Sequence, residues 1–256
     1  MNYELFIQDL CKKAGEILVN LPNELNGRDI NPLQLYSKLI FPKYENDDKN
    51  IRVSEQEARF AFCQVFEQAN HGLYYSIETP TENNYSFKNG IKLDLVNGQS
   101  ARSDMSIFSL TESGFNQIIN IEFKAHNVEY NHIKKDFLKL LEEPQNGLFF
   151  HVLESVVGGT LNTGTFNEYQ GRKGIFKKYG TSIINLFEKL NNKIGKDWFL
   201  FIAICILSPE KYLITKTFRK SNFDNIEDFF EIEYTASRKS ISFLDNKRNG
   251  WEVTPF

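Results

Sequence analysis

The sequence predicts a three-layer α/β protein, a mixed β-sheet between helices, on three observations. A capped amphipathic helix opening at Ser54 is followed by strand-like segments at Leu73–Glu78, Ile91–Val96 and Ala101–Phe108, parted by turn residues. A strand at Ile119–Ala125, a helix at Asn131–Glu142 and a strand at Leu148–Leu153 then succeed one another, the alternation of an α/β domain. Finally, a helix at Ser182–Leu190 leads into Phe199–Leu207, a run apolar enough to be covered on both faces of a sheet.

Taken in order, Tyr3–Leu18 carries apolar residues at helical spacing, and Asn31-Pro32 opens a second short helix, because proline suits the first helical position. The polar run Glu45–Asn50 reads as an exposed loop. Ser54-Glu55-Gln56-Glu57 matches a capping box ahead of Ala58, Ala61, Phe62, Val65 and Phe66. Pro80, Asn89-Gly90 and Asn97-Gly98 separate the three strands, predicting an antiparallel meander, and Thr111–Asn116 is a loop of hairpin length. The helix after Ala125 stops at Pro144. Gly158–Gly180, rich in Gly, Asn and Thr and carrying Arg172, Lys173, Lys177 and Lys178, reads as a mobile basic segment. Strands near Tyr212–Thr217 and Ser240–Leu244 complete the series.

Composition narrows the function classes. With 256 residues, 41% hydrophobic and 25% charged, the chain has the makings of a globular core. Cys11, Cys63 and Cys205 are odd in number and far apart, which suggests neither a disulfide framework nor a zinc site and predicts a cytoplasmic protein. The N-terminal residues lack the pattern of a secretory signal. Trp198–Leu207, the longest apolar run, is roughly half the ~20 residues a spanning helix needs, so no membrane partner is expected. A net charge of -3 argues against coating nucleic acid by bulk electrostatics, although basic residues are enriched after residue 128.

Strand parity supplies the chemistry. Residues i and i+2 share a face, so Glu122 and Lys124 in Ile121–Ala125 project together with Asn120, while Ile119, Ile121, Phe123 and Ala125 face the other way. In Ala101–Phe108, Arg102, Asp104 and Ser106 likewise share a face, and pairing of the two strands would bring Asp104 toward Glu122 and Lys124. Two carboxylates from neighbouring strands make a hard oxygen site suited to Mg²⁺, with Mn²⁺ as a substitute. An ammonium beside it can orient or help deprotonate an attacking water and balance transition-state charge. The competing reading of Glu-x-Lys on a strand is an exposed ion pair.

These residues resemble the PD-(D/E)xK nuclease superfamily, whose pattern is a helix glutamate, an aspartate at a strand start and Glu-x-Lys on the next strand. The resemblance covers roughly residues 51–155. It implies a restriction-endonuclease-like core there, within a single domain spanning 1–256 that has a helical extension at 1–50 and C-terminal additions at 156–256. It also implies Asp104 and Glu122 as metal ligands, Lys124 as the water-activating residue, and a DNA endonuclease of restriction or defence type, with RNA as the second substrate. Ser103 stands where the family name has proline. There is no Gln-x-x-x-Tyr after Lys124 and no cysteine cluster, which disfavours the RecB-like and iron–sulfur subfamilies.

Glu55 is the expected helix glutamate, completing the acidic cluster that holds the metal, since Ala58, Phe62, Val65 and Ala69 follow at offsets that place it on the core-facing stripe; its other reading is a first-turn charge on the helix dipole. Glu57 is assigned to the cap. Lys134, Lys135, Arg172 and Lys173 are candidate contacts for the nucleic-acid backbone, His126 could touch a phosphate, and Tyr74, Tyr75 and Tyr85 could stack on bases. The alternative from another class is an inert nuclease fold serving as a binding or scaffolding subunit, and a homodimer or larger complex is compatible with either.

Overall fold

A computed structural model describes residues 1–21, 39–44, 47–69, 71–87, 91–157, 159–161, 174–187, 198–237, 239–243 and 250–256. Helix α1 (Tyr3–Val19) is capped by Asn2, whose side chain accepts the Glu4 and Leu5 amides, and it buries Ile7, Leu10, Cys11, Ala14 and Leu18 along one stripe. The short strands β1 (Lys43–Tyr44) and β2 (Asp47–Ile51) pair with each other. Helix α2 (Glu55–Gln68) packs on α1.

The main sheet is built from β3 (Leu73–Ser86), β4 (Lys92–Leu93), β5 (Gln99–Thr111), β6 (Gly114–Ala125), β7 (Asn146–Leu153), β8 (Phe199–Ile206), β9 (Tyr212–Arg219) and β12 (Glu252–Pro255). Its spatial order is β12-β9-β8-β7-β6-β5-β3-β4. The central pairs β6–β7 and β7–β8 are parallel; the others are antiparallel. Parallel neighbours need a crossover, and helices α3 (Tyr130–Glu142) and α4 (Ile175–Phe187) supply the two, packing on each other. Helix α5 (Ile226–Phe229) lies beside α4, and β10 (Tyr234–Ala236) pairs with β11 (Ile241–Phe243) apart from the main sheet.

The result is a three-layer α/β/α fold. Helices α1 and α2 bury Ile7, Leu10, Phe62 and Phe66 against Ile121, Phe123, Phe150 and Val152. On the other side Phe137, Tyr179 and Phe229 pack with Phe149, Ile202, Ile204 and Phe218. All three cysteines are buried and unpaired, in the α1–α2 layer of the core. No described helix is long and apolar enough to cross a membrane.

Several expectations are corrected. Strands β3, β4 and β5 do not follow one another as a meander: β3 lies between β4 and β5, because a fourteen-residue β3 outreaches β4 and pairs along its length with β5. Residues 47–51 pair as β2 instead of forming a loop, and only the centre of Thr111–Asn116 is turn, since Thr111 already pairs with Gly114. Helix α4 begins at Ile175, seven residues before the expected start, so the end of the supposed basic segment is helix with Lys177 and Lys178 buried. Phe176, Tyr179 and Ile183 give that helix its apolar stripe. The helix expected at Asn31-Pro32 lies outside the described residues.

Candidate functional site

The site forms where two strands part. β5 pairs with β6 from Thr111 back to Met105, opposite Ile121, and then continues beside β3 alone. At that fork the Asp104 carboxylate takes the place of a ladder carbonyl: its Oδ2 accepts the Phe123 amide at 2.8 Å. The Asp104 side chain is thereby held against the Glu122–Lys124 segment by a bond that an aspartate, and no apolar residue, could make. The expected parity holds, with Ser106 opposite Asn120 and their side chains bonded at 2.8 Å on the same face.

Glu122 is only 1% exposed, and its Oε2 lies 2.5 Å from the Lys139 ammonium of α3. Lys139 also donates to the Arg102 carbonyl at 3.0 Å and lies 3.5 Å from Asp136 Oδ1. The Lys124 ammonium lies 2.7 Å from Asp136 Oδ2 and 3.1 Å from Glu55 Oε1. Glu55, Glu122 and Lys124 are thus joined through a lattice of ion pairs whose hub, Asp136, belongs to none of the expected motifs, while Asp104 is tied to the same segment by the Phe123 amide. Arg59 on α2 reaches the same fork, bonding Glu78 Oε1 at 2.9 Å and the Asp104 carbonyl at 3.5 Å. Glu78 itself sits opposite the fork with a left-handed φ of 52°, and His126 just past β6 has φ 62°. Two non-glycine residues in that region flank the site, a common place for backbone strain.

Electrostatics follow from burial. Desolvation raises the Asp104 carboxyl above its ordinary value, opposed by the Phe123 amide and the Lys139 charge. Burial likewise pushes Glu122 up against the pull of Lys139, with Asp136 and Asp104 adding repulsion. Lys124 behaves in the opposite sense: burial lowers it, but Asp136 and Glu55 overcome that and hold it protonated well above the usual lysine range. An ammonium held so firmly is a hydrogen-bond donor and a fixed positive charge, not a base.

The residues fit a hard divalent cation. Glu122 Oε1 is buried with no hydrogen-bond partner, and Asp104 has one oxygen engaged by the Phe123 amide. Four carboxylates (Glu55, Asp104, Glu122, Asp136) face two ammonium groups (Lys124, Lys139), leaving an excess of negative charge that a divalent ion would cancel. No group of three or more His, Cys, Asp or Glu side chains stands at metal-holding spacing among the described residues. The all-oxygen pair Asp104 and Glu122 is the donor set that Mg²⁺, which keeps several waters, requires.

Other candidates settle differently. Glu55 is not on the buried stripe: its side chain is 41% exposed and reaches Lys124 from the rim, while Glu57 is the buried glutamate, bound by Ser54 Oγ and by Arg52 at 2.9 Å. Residue 55 opens the helix, so its side chain can swing past the helix end toward β6. Lys134 and Lys135 are half-buried, each lying over an aromatic ring, Tyr130 at 5.9 Å and Phe87 at 4.6 Å. Arg172 and Lys173 lie outside the described residues. Tyr85 is buried and donates to Glu143 at 2.6 Å, Tyr75 packs on Phe66, and Tyr74 is half exposed against Phe115. His126 is half-buried, and its carbonyl serves the His151 ring at 2.6 Å.

Sequence reasoning missed Asp136, Lys139, Arg59 and His151. A signal existed for Asp136: Ile133, Asp136, Phe137, Leu140 and Leu141 share the helical apolar stripe, where a carboxylate needs a partner. Lys139 and Arg59 gave none, since both read as ordinary charges on amphipathic helices. The chain matches no family model, and neither a curated protein nor a solved structure matches it.

Proposed function

We propose that this chain is a Mg²⁺-dependent nuclease of the PD-(D/E)xK kind, hydrolysing phosphodiester bonds, with Mn²⁺ able to substitute. DNA is the proposed substrate ahead of RNA, and a cytoplasmic endonuclease of restriction or defence type the proposed role, acting alone, as a homodimer or within a larger complex. One observation carries the reading: Asp104 is bonded to the Phe123 amide at the fork of β5 and β6, which sets its carboxylate beside Glu122 and in the field of Lys124.

Asp104 and Glu122 would hold the ion, with Glu55 at the rim. Bound there, it would supply Lewis-acid polarisation of a phosphate oxygen and a more acidic coordinated water. The chain's own groups have separate tasks. Lys124, clamped by Asp136 and Glu55, presents a fixed ammonium that can orient the attacking water by donating to it and can balance charge growing on the phosphate oxygens. Asp136 positions that ammonium and does not touch substrate. Arg59, bonded to the Asp104 carbonyl and Glu78, holds the backbone of the fork.

A second reading draws on the Glu122–Lys139 pair. An internal cation on a carboxylate oxygen is what an inert nuclease fold, kept for binding or scaffolding, would retain. Supercoiled plasmid and linear DNA incubated with Mg²⁺, with Mn²⁺ and with chelator separate the two. Wild type is expected to cut in either metal, and Lys124→Ala to be slower by about 10²–10⁴-fold, the range for a group acting in the transition state. Equal cleavage by both proteins, or by neither, would sink the assignment. Cutting of closed circles marks an endonuclease, and competition with RNA tests the nucleic acid.

A further inference from the structure

We propose that Lys139 is a built-in cation that holds the fork of β5 and β6 together in the metal-free protein and lowers the affinity of the carboxylate pair for a divalent ion. The inference rests on reading Asp104 and Glu122 as the metal ligands.

The geometry singles Lys139 out from the other described lysines. Its side chain is 5% exposed, and all its contacts point inward: Glu122 Oε2 at 2.5 Å, the Arg102 carbonyl at 3.0 Å and Asp136 Oδ1 at 3.5 Å. An ammonium has three donors, and three acceptors surround this one, so it has nothing left to offer a phosphate. Two of the acceptors belong to different strands, Arg102 to β5 and Glu122 to β6, on the stretch where these strands no longer pair. Lys139 therefore spans the opening that the ladder leaves.

Such a strut does chemically what a divalent ion would do there, since both draw their ligands from Glu122 and neutralise the same excess of carboxylate charge. The two compete. Glu122 Oε1 remains available to an incoming ion, but that ion enters beside a positive charge that is already fixed. Lys124 differs in that its partners, Asp136 and Glu55, are not the metal pair, and Glu55 leaves it open to the rim.

The test compares full-length wild type, Lys139→Met and Lys139→Arg after chelator treatment, by thermal unfolding with and without Mn²⁺ and by calorimetric titration with Mn²⁺. Lys139→Met is expected to melt lower than wild type in chelator and to be raised more by Mn²⁺. Its Mn²⁺ affinity is expected to rise by at least about tenfold, since a unit charge a few ångströms from the ion is removed from a partly buried site. Lys139→Arg, which keeps the charge, should track wild type. A Lys139→Met protein that binds Mn²⁺ while wild type does not would also support the inference, and would place wild type with the inert reading.

If both bind Mn²⁺ equally, or the variant binds more weakly, the role given to Lys139 fails while the metal site stands. If neither binds, both fail. Should Lys139→Met not fold even with Mn²⁺, Lys139→Gln, which keeps a donor toward Glu122 without the charge, takes its place; failure of Mn²⁺ to raise the stability of either variant overturns the inference.

Discussion

His151 shows how much a single residue depends on its setting. It sits on β7 opposite Lys124, fully buried, with one ring nitrogen 2.6 Å from the His126 carbonyl and the other 2.5 Å from the Tyr179 hydroxyl. A carbonyl can only accept, so Nε2 carries the proton, and in the neutral ring Nδ1 accepts from the Tyr179 hydroxyl. Burial pushes its pKa down to about 3. In the unfolded chain the same ring titrates near ~6.5. Between those values the unfolded state binds the extra proton, so this contribution to stability is fully present above about 6.5 and is lost as pH falls toward 3. Urea midpoints measured from pH 7 to pH 4 should fall less steeply for His151→Gln than for wild type; parallel slopes would show that the ring does not stay neutral.

At the scale of elements, the two helices that reach the fork do so by different means. α3 lies across the sheet face and delivers Asp136 from within its apolar stripe and Lys139 from beside it, so packing of Phe137 on Phe149 at 4.8 Å and the polar lattice are parts of one contact. α2 reaches the site with Glu55 at its start and Arg59 one turn further on. Its start is fixed by Ser54, which accepts the Gln56 amide at 3.3 Å and donates to the buried Glu57, itself paired with Arg52. Ser54→Ala is expected to cost about 1 kcal/mol, the usual worth of an N-cap, and more if Glu57 is left short of a donor. Because Glu55 is the next residue, the same change should weaken its hold on Lys124. Thermal unfolding measures the first effect and the rate of plasmid cleavage the second; a variant as stable as wild type would deny the cap its role.

For the whole molecule, the sheet is the shared wall of two cores. Phe149 and Phe150 are consecutive on β7, both fully buried, yet one packs with α3 and α4 and the other with α1 and α2. If the layers fold as one unit, Phe149→Ala and Phe150→Ala should each remove about 3–5 kcal/mol and each lower a single common transition. Calorimetry that resolves two transitions, each moved by only one substitution, would mean that the cores fold separately.

Much of this order is legible in local pattern. Alternation along β5 and β6 assigns Asp104, Glu122 and Lys124 their shared face, and the 3.6-residue period marks α1, α2 and α3, because these features depend on backbone geometry that each segment carries with it. The strand order is not local: β3 lies between β4 and β5 because its length lets it pair with both, a fact that neither turn residues nor propensity encode. Glu55 lies at the rim and not on the expected core-facing stripe because a first-turn side chain answers to what lies beyond the helix end, here Lys124.

By itself, then, the sequence determined the α/β class, the capped start of α2 and the convergence of an aspartate with a Glu-x-Lys strand. The tertiary structure alone decided that Asp104 bonds the Phe123 amide, that Asp136 ties Lys124 in place, and that Lys139 bridges two parting strands. The physical reason is the same in each case. A buried charge is stable only where partners from distant elements meet it, and those meetings are set by how a helix lies across a sheet.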